Sequence, residues 1–197
     1  MPLNLWLVRH GETEVNRGVW SINPNDTVLT SRGKEQAEKI AEQVRHKPDL
    51  FLVSPLIRAQ QTSQYFINKW PDTAIINVAI QEFVYLSPQR LALLSQEERR
   101  VQINEYWQKA DPFYCDGDDT ESFAGFLQRV AAFHDSLLAM EGYVVAVGHG
   151  QFFKAFQLGL TYGFNPDKKW MQQFRTQETT FPLGNGEVMK LFFDKDK

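Results

Sequence analysis

Two of the four histidines, His10 and His149, each follow a short apolar segment and lie beside glycine. Glycine lets the backbone turn sharply and lets a ligand approach it closely. An unprotonated imidazole nitrogen can act as a nucleophile or exchange a proton near neutral pH. This pattern is consistent with a catalytic pair of histidines, although two hydrogen-bonded loop histidines without any catalytic role would look the same.

Two arginines near these histidines in the predicted fold indicate which ligand the site would bind. Arg9 precedes His10, and Arg58 lies in the first turn of a predicted helix. A guanidinium remains charged and donates two parallel hydrogen bonds, which suits the oxygens of a phosphate group. An arginine near a helix start is usually a solvated surface residue, but the position beside strand ends favours phosphate binding here.

The apolar periodicity predicts alternating strands and helices that would bring these residues together. Short runs of β-favouring residues predict buried strands, and His10, Ser54 and His149 each fall where such a strand ends. Ser54 is predicted to cap the following helix, with Pro55 in its first turn. The pattern predicts an α/β fold, a three-layer αβα sandwich with a mostly parallel central sheet, whose ligands bind at the carboxyl ends of the strands. The predicted strands cover residues 4–8, 49–53, 74–78, 143–147, 179–182 and 187–193.

The helices predicted between these strands begin and end at recognisable signals. Thr30 or Ser31 is expected to cap the first helix, which Pro48 ends. The second helix is predicted to follow Ser54-Pro55 and to carry Ala59, Thr62, Tyr65 and Phe66 on one side. The others are predicted over residues 91–109, 121–140 and 152–160. Residues 81–117 look like an excursion over the sheet and are the predicted substrate cap within a single domain covering 1–197.

Composition excludes several other classes of protein. The net charge of -3, with scattered basic residues, gives no footprint for nucleic acid. Cys115 is the only cysteine, so neither an intramolecular disulfide nor a cysteine-rich metal cage can form. The N-terminal residues do not read as a signal peptide, and no segment is apolar for the roughly 20 residues that span a bilayer. We therefore expect a cytoplasmic protein without membrane or nucleic-acid partners; the oligomeric state cannot be predicted.

Several motifs, in this order along the chain, resemble those of the histidine phosphatase superfamily, in its phosphoglycerate mutase-like branch. The resemblance covers residues 3–151 and is most specific around His10 and Arg58. The matching segments are residues 7–13 with Asn16, 26–30 with Gly33 and Gln36-Ala37, 54–62, 80–82, Glu121-Ser122, and 147–150.

The resemblance implies a role for each matching position. His10 is implied as the nucleophile, and Glu82 as the proton donor to the leaving group. The phosphoryl oxygens would be held by Arg9, Arg58 and His149. Asn16 could also donate a hydrogen bond to a phosphoryl oxygen, and Gly150 is assigned to substrate binding.

No metal ion and no other cofactor are expected. Fixed guanidinium and imidazolium donors can stabilise the charge that spreads over the phosphoryl oxygens in the transition state. The spacing typical of zinc ligands is absent. His46 and His134 are more simply interpreted as a residue at a helix end and a structural helix residue.

The predicted activity is a phosphatase that hydrolyses small phosphate monoesters through a phosphohistidine on His10. A phosphoglycerate mutase is one alternative, although residues 83–88 replace the Gly-x-x-Glu-Gly segment that usually follows the acid in that family. A binding module for phosphorylated ligands or phosphoproteins is another. Five cap aromatics could cover an apolar leaving group or equally belong to the core: Phe83, Tyr85, Trp107, Phe113 and Tyr114.

Overall fold

A computed structural model describes residues 2–194, which form a five-stranded sheet with helices on both faces. The strands are β1 (Leu3–Arg9), β2 (Leu50–Val53), β3 (Ala74–Asn77), β4 (Gly142–Gly148) and β5 (Val188–Phe193), in the order β3-β2-β4-β1-β5. Strands β1 to β4 are parallel, and β5 is antiparallel to β1. The predicted mostly parallel α/β sandwich is confirmed.

Seven helices accompany the sheet within the described residues. They are α1 (Ser31–Gln43), α2 (Ile57–Lys69), α3 (Pro88–Ala92), α4 (Gln96–Lys109), α5 (Phe123–Leu138), α6 (Gly150–Tyr162) and α7 (Lys168–Thr180). Thr30 caps α1 as predicted, since its side chain accepts a hydrogen bond from the Gly33 backbone. Helix α1 ends at Gln43, before Pro48. None of the helices among residues 2–194 combines the length and apolarity that a bilayer span requires.

Alternation along β1 separates two hydrophobic clusters, one on each face of the sheet. Leu5 and Leu7 are fully buried against a cluster that includes α5, α6 and α7. Val8 points to the other face and joins a cluster with residues of α1 and α2. Because both faces are covered there, the central strands β1, β2 and β4 are apolar nearly throughout, as parallel strands usually are, whereas the edge strand β3 is exposed.

Two predicted elements differ from the structure. The helix predicted over 91–109 is two helices, because Ser95 and Glu98 form a reciprocal capping box that starts α4 after a break. The strand predicted over 179–182 is wrong, since α7 continues to Thr180. The Thr179 hydroxyl donates to the Arg175 carbonyl within this helix, which accommodates a β-branched residue that favours strands.

Candidate active site

The carboxyl ends of three neighbouring strands bring both histidines and Arg58 together. His10 follows β1, His149 follows β4, and Arg58 lies in the first turn of α2 after β2. The two imidazole rings have centroids 5.0 Å apart. Arg58 Nε donates a hydrogen bond to His10 Nε2 at 3.2 Å. The cluster predicted from the sequence is therefore present around His10.

The hydrogen bonds of His10 define which nitrogen carries its proton. Its Nδ1 lies 2.7 Å from the Gly11 carbonyl oxygen, which can only accept, so Nδ1 is the protonated atom. Nε2 is unprotonated, and its single lone pair accepts the hydrogen bond from Arg58. Burial, and then the charges of Arg58 and Arg9, lower the pKa of His10 well below 6.5, against an opposing effect of the Gly11 hydrogen bond. His10 is thus a neutral imidazole at neutral pH.

His149 is fully buried and is paired with a serine. Ser54 Oγ lies 2.9 Å from His149 Nε2, so Ser54 does not cap α2 as predicted; that helix starts at Ile57 after Leu56. His149 Nδ1 has no hydrogen-bond partner among the described residues. Burial, followed by the neighbouring His10 and Arg58, lowers the pKa of His149 well below 6.5. His149 does not line the cavity beside His10, whereas Gly150 does.

Arg9 is held at the cavity wall by the chain segment before β5. Its Nη1 donates to the Leu183 carbonyl oxygen, while its Nε is buried without a hydrogen-bond partner among the described residues. Gly150 gives this guanidinium room, because a Cβ at that position would lie 3.1 Å from Arg9 Nε. The Arg9 guanidinium is therefore fixed in position with hydrogen-bonding capacity left for a ligand.

Glu82 lies in the same cavity and is held by the first turn of α6. The Gln151 backbone N–H donates to Glu82 Oε1 at 3.0 Å. Burial raises the pKa of Glu82 above 4.5; Arg9 and Arg58 oppose this effect and Glu178 adds to it. A carboxyl group with a raised pKa can keep a proton to donate.

Arg129 on α5 holds the segment that carries Glu82. Its Nη1 donates to the carbonyl oxygens of Ala79 at 2.9 Å and Gln81 at 3.1 Å. Its Nε donates to Glu121 at 3.2 Å, which orients the guanidinium. The Glu121-Ser122 motif thus has two structural roles: Glu121 orients Arg129, and Ser122 caps α5.

The motif around Gly33 supports the loop after His10. The Thr30 backbone donates to the Glu12 carbonyl at 2.9 Å, and the Glu12 backbone donates to Gln36 Oε1 at 2.8 Å. Gly33 lies so close that a Cβ there would be 2.1 Å from the Glu12 carbonyl oxygen. The start of α1 therefore packs backbone against backbone on the His10 loop.

Asn16 lines the cavity and is part of a small amide network. Its Oδ1 accepts from the Thr13 backbone at 3.0 Å and from Asn185 Nδ2 at 3.1 Å. Asn185 also donates to the His10 carbonyl at 3.1 Å. Sequence reasoning missed Asn185; the only signal was its position in a Gly-Asn-Gly turn, where it precedes β5.

A cavity of about 370 Å³ joins these polar groups to an apolar wall. Phe83 and Tyr85 line it, together with Leu86, Leu91 and Ile103 from the same excursion. Trp107 belongs to the core instead, and Phe113 and Tyr114 are exposed. Of the five aromatics, Phe83 and Tyr85 can therefore contact a leaving group, Trp107 belongs to the core, and Phe113 and Tyr114 have neither of the two roles considered for them. Across residues 2–194, no three His, Cys, Asp or Glu side chains are grouped so that they could hold a metal ion.

The strand ends of this mostly parallel α/β sheet bring together a neutral histidine and two arginines. This arrangement is typical of phosphoryl-transfer proteins that have a histidine at the centre of the site. The family model described as histidine phosphatase superfamily (branch 1) matches residues 5–190. The chain belongs to this superfamily.

Curated relatives and solved structures are consistent with this assignment. The chain is 30% identical over 155 residues to the adenosylcobalamin/alpha-ribazole phosphatase of Escherichia coli (strain K12), covering 75% of this chain and 73% of that protein. It is also 30% identical to a probable phosphoglycerate mutase of Enterobacter sp. (strain 638), covering 75% and 70%. The phosphoserine phosphatase of Entamoeba histolytica has the same fold, with a TM-score of 0.71 at 24% identity over 95% of this chain and 89% of that one.

Proposed function

We propose that this chain, a histidine-type phosphomonoesterase, hydrolyses small phosphate monoesters through a phosphohistidine intermediate on His10. The observation that carries the proposal is the hydrogen bonding of His10. Its Nδ1 proton is directed at the Gly11 carbonyl, so Nε2 is unprotonated, and its lone pair attacks phosphorus as the hydrogen bond from Arg58 is given up. The phosphatase name of a curated relative supports the same reaction.

In the first step, His10 Nε2 forms a bond to phosphorus while the bond between phosphorus and the ester oxygen breaks. Glu82 transfers its proton to the departing oxygen, which leaves as an alcohol. In the second step, Glu82 takes a proton from water, and the oxygen of that water attacks phosphorus. Inorganic phosphate leaves, and His10 and Glu82 return to their starting states.

The surrounding groups have binding roles in this proposal. Arg9 and Arg58 hold the phosphoryl oxygens and stabilise the charge that spreads over them. Asn16 adds a hydrogen bond, and Gly150 keeps the phosphate close to the backbone. The role implied for His149, holding a phosphoryl oxygen, stays a prediction, because its Nε2 bonds to Ser54 and it does not line the cavity. Residues 81–117 act as the substrate cap, with Phe83 and Tyr85 against the leaving group. A single domain, a cytoplasmic location and the absence of nucleic-acid or membrane partners stay predictions.

The mutase reaction is the second candidate, because one curated relative is named a probable phosphoglycerate mutase. It shares the first step, after which the phosphoryl group passes to another hydroxyl of a bound substrate. A pure binding role is less favoured, because burial lowers the pKa of His10 and raises the pKa of Glu82, which are the directions that the reaction needs.

The first experiment measures phosphate release from phenyl phosphate with a chelator present, for wild type and His10→Ala. We expect chelator-resistant turnover that the substitution abolishes. Isomerisation of 3-phosphoglycerate is followed in parallel, and its presence would identify a mutase. Turnover that survives in His10→Ala would contradict the phosphohistidine mechanism, and binding of phosphate esters without turnover would identify a binding module.

A further inference from the structure

A second acid lines the cavity but takes no part in the mechanism above. Glu178 on α7 lies there together with Glu82. The charged and titratable side chains that line the cavity with Glu82 are Arg9, His10, Arg58, Tyr85, Lys154 and Glu178. From α5, Arg129 bonds to carbonyl oxygens of the segment that carries Glu82. Among the described residues that line the cavity, Glu178 is thus the one acid besides Glu82.

Gln151, in the first turn of α6, connects the two acids. Its backbone N–H donates to Glu82 Oε1 at 3.0 Å. Its side-chain Nε2 donates to Glu178 Oε1 at 3.5 Å, which is a long hydrogen bond. Because one residue contacts both carboxyl groups, Glu178 is held near Glu82 without a direct contact between the two.

The other oxygen of Glu178 is held by an arginine on the same helix. Arg175 Nη1 donates to Glu178 Oε2 at 3.0 Å, and its guanidinium lies over the Trp107 ring, 5.0 Å from the ring centroid. Glu178 lines the cavity, whereas Arg175 does not. The positive charge of Arg175 should therefore offset only part of the negative charge that Glu178 presents to Glu82.

Glu82 needs such a charge because two cations act against its role as an acid. Arg9 and Arg58, which hold the phosphate in the proposed mechanism, lower the pKa of Glu82, whereas Glu178 raises it. The groups that bind the substrate would otherwise favour loss of the proton that the leaving oxygen requires. Glu178 acts against this effect from the opposite side of Gln151.

We propose that Glu178 is a positioning residue for the proton donor, whose negative charge keeps Glu82 protonated in spite of the two phosphate-binding arginines. This inference rests on the proposed function, in which Glu82 protonates the departing oxygen. Glu178 acts through Glu82 and does not itself exchange a proton with the substrate.

The test is the pH profile of kcat/KM for phenyl phosphate. Because Glu82 must be protonated, kcat/KM falls as the pH rises through the Glu82 pKa. Glu178→Gln keeps the shape of the side chain but removes its charge, so this fall should move to lower pH by roughly 0.5–1 unit. Arg175→Gln removes the offsetting cation and should move the fall in the opposite direction, by a smaller amount. Glu178→Asp keeps the charge and should retain most of the wild-type profile.

Glu97→Gln and Arg100→Gln are the matched controls. Glu97 and Arg100 form an ion pair at 3.9 Å with the same spacing along a helix, but both are exposed on α4 and do not line the cavity. These variants change the net charge by the same amounts as Glu178→Gln and Arg175→Gln. Both should keep the wild-type profile.

A structural role of Glu178 would lower kcat/KM at every pH without moving the profile. An unmoved profile in Glu178→Gln, or movement in the same direction in Glu178→Gln and Arg175→Gln, would overturn the inference. If the wild type turns over phenyl phosphate, such a result leaves the proposed function intact.

A measurement without turnover separates the two proposals further. Carboxyl ¹³C NMR of enzyme labelled at glutamate follows the titration of Glu82, whose signal is assigned by its loss in Glu82→Gln. The midpoint should be lower in Glu178→Gln than in the wild type. If the wild type releases no phosphate, the proposed function fails, and an unchanged NMR midpoint would overturn the effect of Glu178 on Glu82 independently.

Discussion

At the scale of single residues, His10 has two hydrogen bonds with different effects. The bond to Gly11 selects the tautomer, and the bond from Arg58 places a permanent charge beside the nitrogen that has the lone pair. The charge disfavours protonation but also draws in a phosphate group. One guanidinium therefore both keeps the nucleophile neutral and positions the group that it attacks.

The pH dependence of kcat/KM should report His10 and Glu82 separately. His10 must be unprotonated, so activity rises with pH through a pKa below 6.5. Glu82 must be protonated, so activity falls with rising pH through a pKa above 4.5. Glu82→Gln should lower kcat for the phosphatase reaction by roughly 10²- to 10⁴-fold. In this variant kcat/KM should no longer fall on the high-pH side of the profile.

Glu38→Gln is the control for this experiment, because Glu38 is exposed on α1 and does not line the cavity. It should retain the wild-type profile. A Glu82→Gln enzyme with less than about a tenfold loss would mean that Glu82 is not the proton donor.

Side chains that act through their partners were the least predictable from sequence. His10, Arg9, Arg58 and Glu82 could be placed because motifs and strand ends locate them. Ser54 was assigned to a helix cap, since Ser-Pro before a helix normally has that role, yet its hydroxyl bonds to His149 from a different strand end. Such a long-range hydrogen bond leaves no local signal in the sequence.

At the scale of elements, α1 supports the site through its first turn rather than through its apolar face. Gly33 and Gly125 occupy the same position in α1 and α5, and each donates its backbone N–H to the capping hydroxyl of its helix. Their surroundings differ. A Cβ at Gly33 would meet the Glu12 carbonyl oxygen at 2.1 Å, whereas one at Gly125 would meet only Ser122 Oγ at 3.4 Å.

These two glycines provide a matched pair of substitutions. Gly33→Ala should push α1 away from the His10 loop, lowering the free energy of unfolding by about 1–3 kcal/mol and reducing kcat. Gly125→Ala should be neutral or raise the free energy of unfolding by up to about 1 kcal/mol, because alanine favours a helix. Urea unfolding and phenyl phosphate turnover measure both effects. Equal outcomes for the two variants would refute the close-packing explanation.

The two errors among the predicted elements have different physical origins. The capping box that separates α3 from α4 is visible in the sequence as Ser95 and Glu98, so that break could have been recognised. The end of α7 could not, because the β-branched residues Thr179 and Thr180 favour a strand locally. In the structure, Trp170, Met171 and Phe174 are buried on one side of α7, and this packing outweighs the local preference.

At the scale of the whole molecule, folding encloses two histidines and disfavours the charged form of both. In the unfolded chain each would titrate near pH 6.5, whereas in the native state both pKa values are well below that. Below pH 6.5 the unfolded chain therefore binds protons that the native state does not. Stability should be fully present above pH 6.5 and should decline as the pH falls toward the native pKa values.

Each histidine contributes a slope of at most about 1.4 kcal/mol per pH unit. His149→Gln can keep a hydrogen bond to Ser54 but does not titrate, so its stability should decline less steeply between pH 6.5 and 5.5. Glu82 has the opposite effect on stability, because between pH 4.5 and its raised pKa the native state holds a proton that the unfolded chain has lost. This effect should be the same in the wild type and in His149→Gln. Urea unfolding across this range measures the slopes.

His46→Gln is the comparison variant, because His46 is exposed and removing it should leave the slope unchanged. A slope in His149→Gln equal to that of the wild type would show that His149 is charged in the native state or titrates normally there.

The position of β1 in the sheet has a consequence for how the enzyme is made. Leu3 pairs with Gly142 on one side and with Phe193 on the other, so β1 leaves the ribosome well before either strand that pairs with it. Asn185, which holds the His10 carbonyl, is also translated late. Pairing across so many residues is slow compared with local contacts. We therefore expect a nascent chain to present His10 well before the site can assemble, because assembly requires residues 185–193 to have left the ribosome.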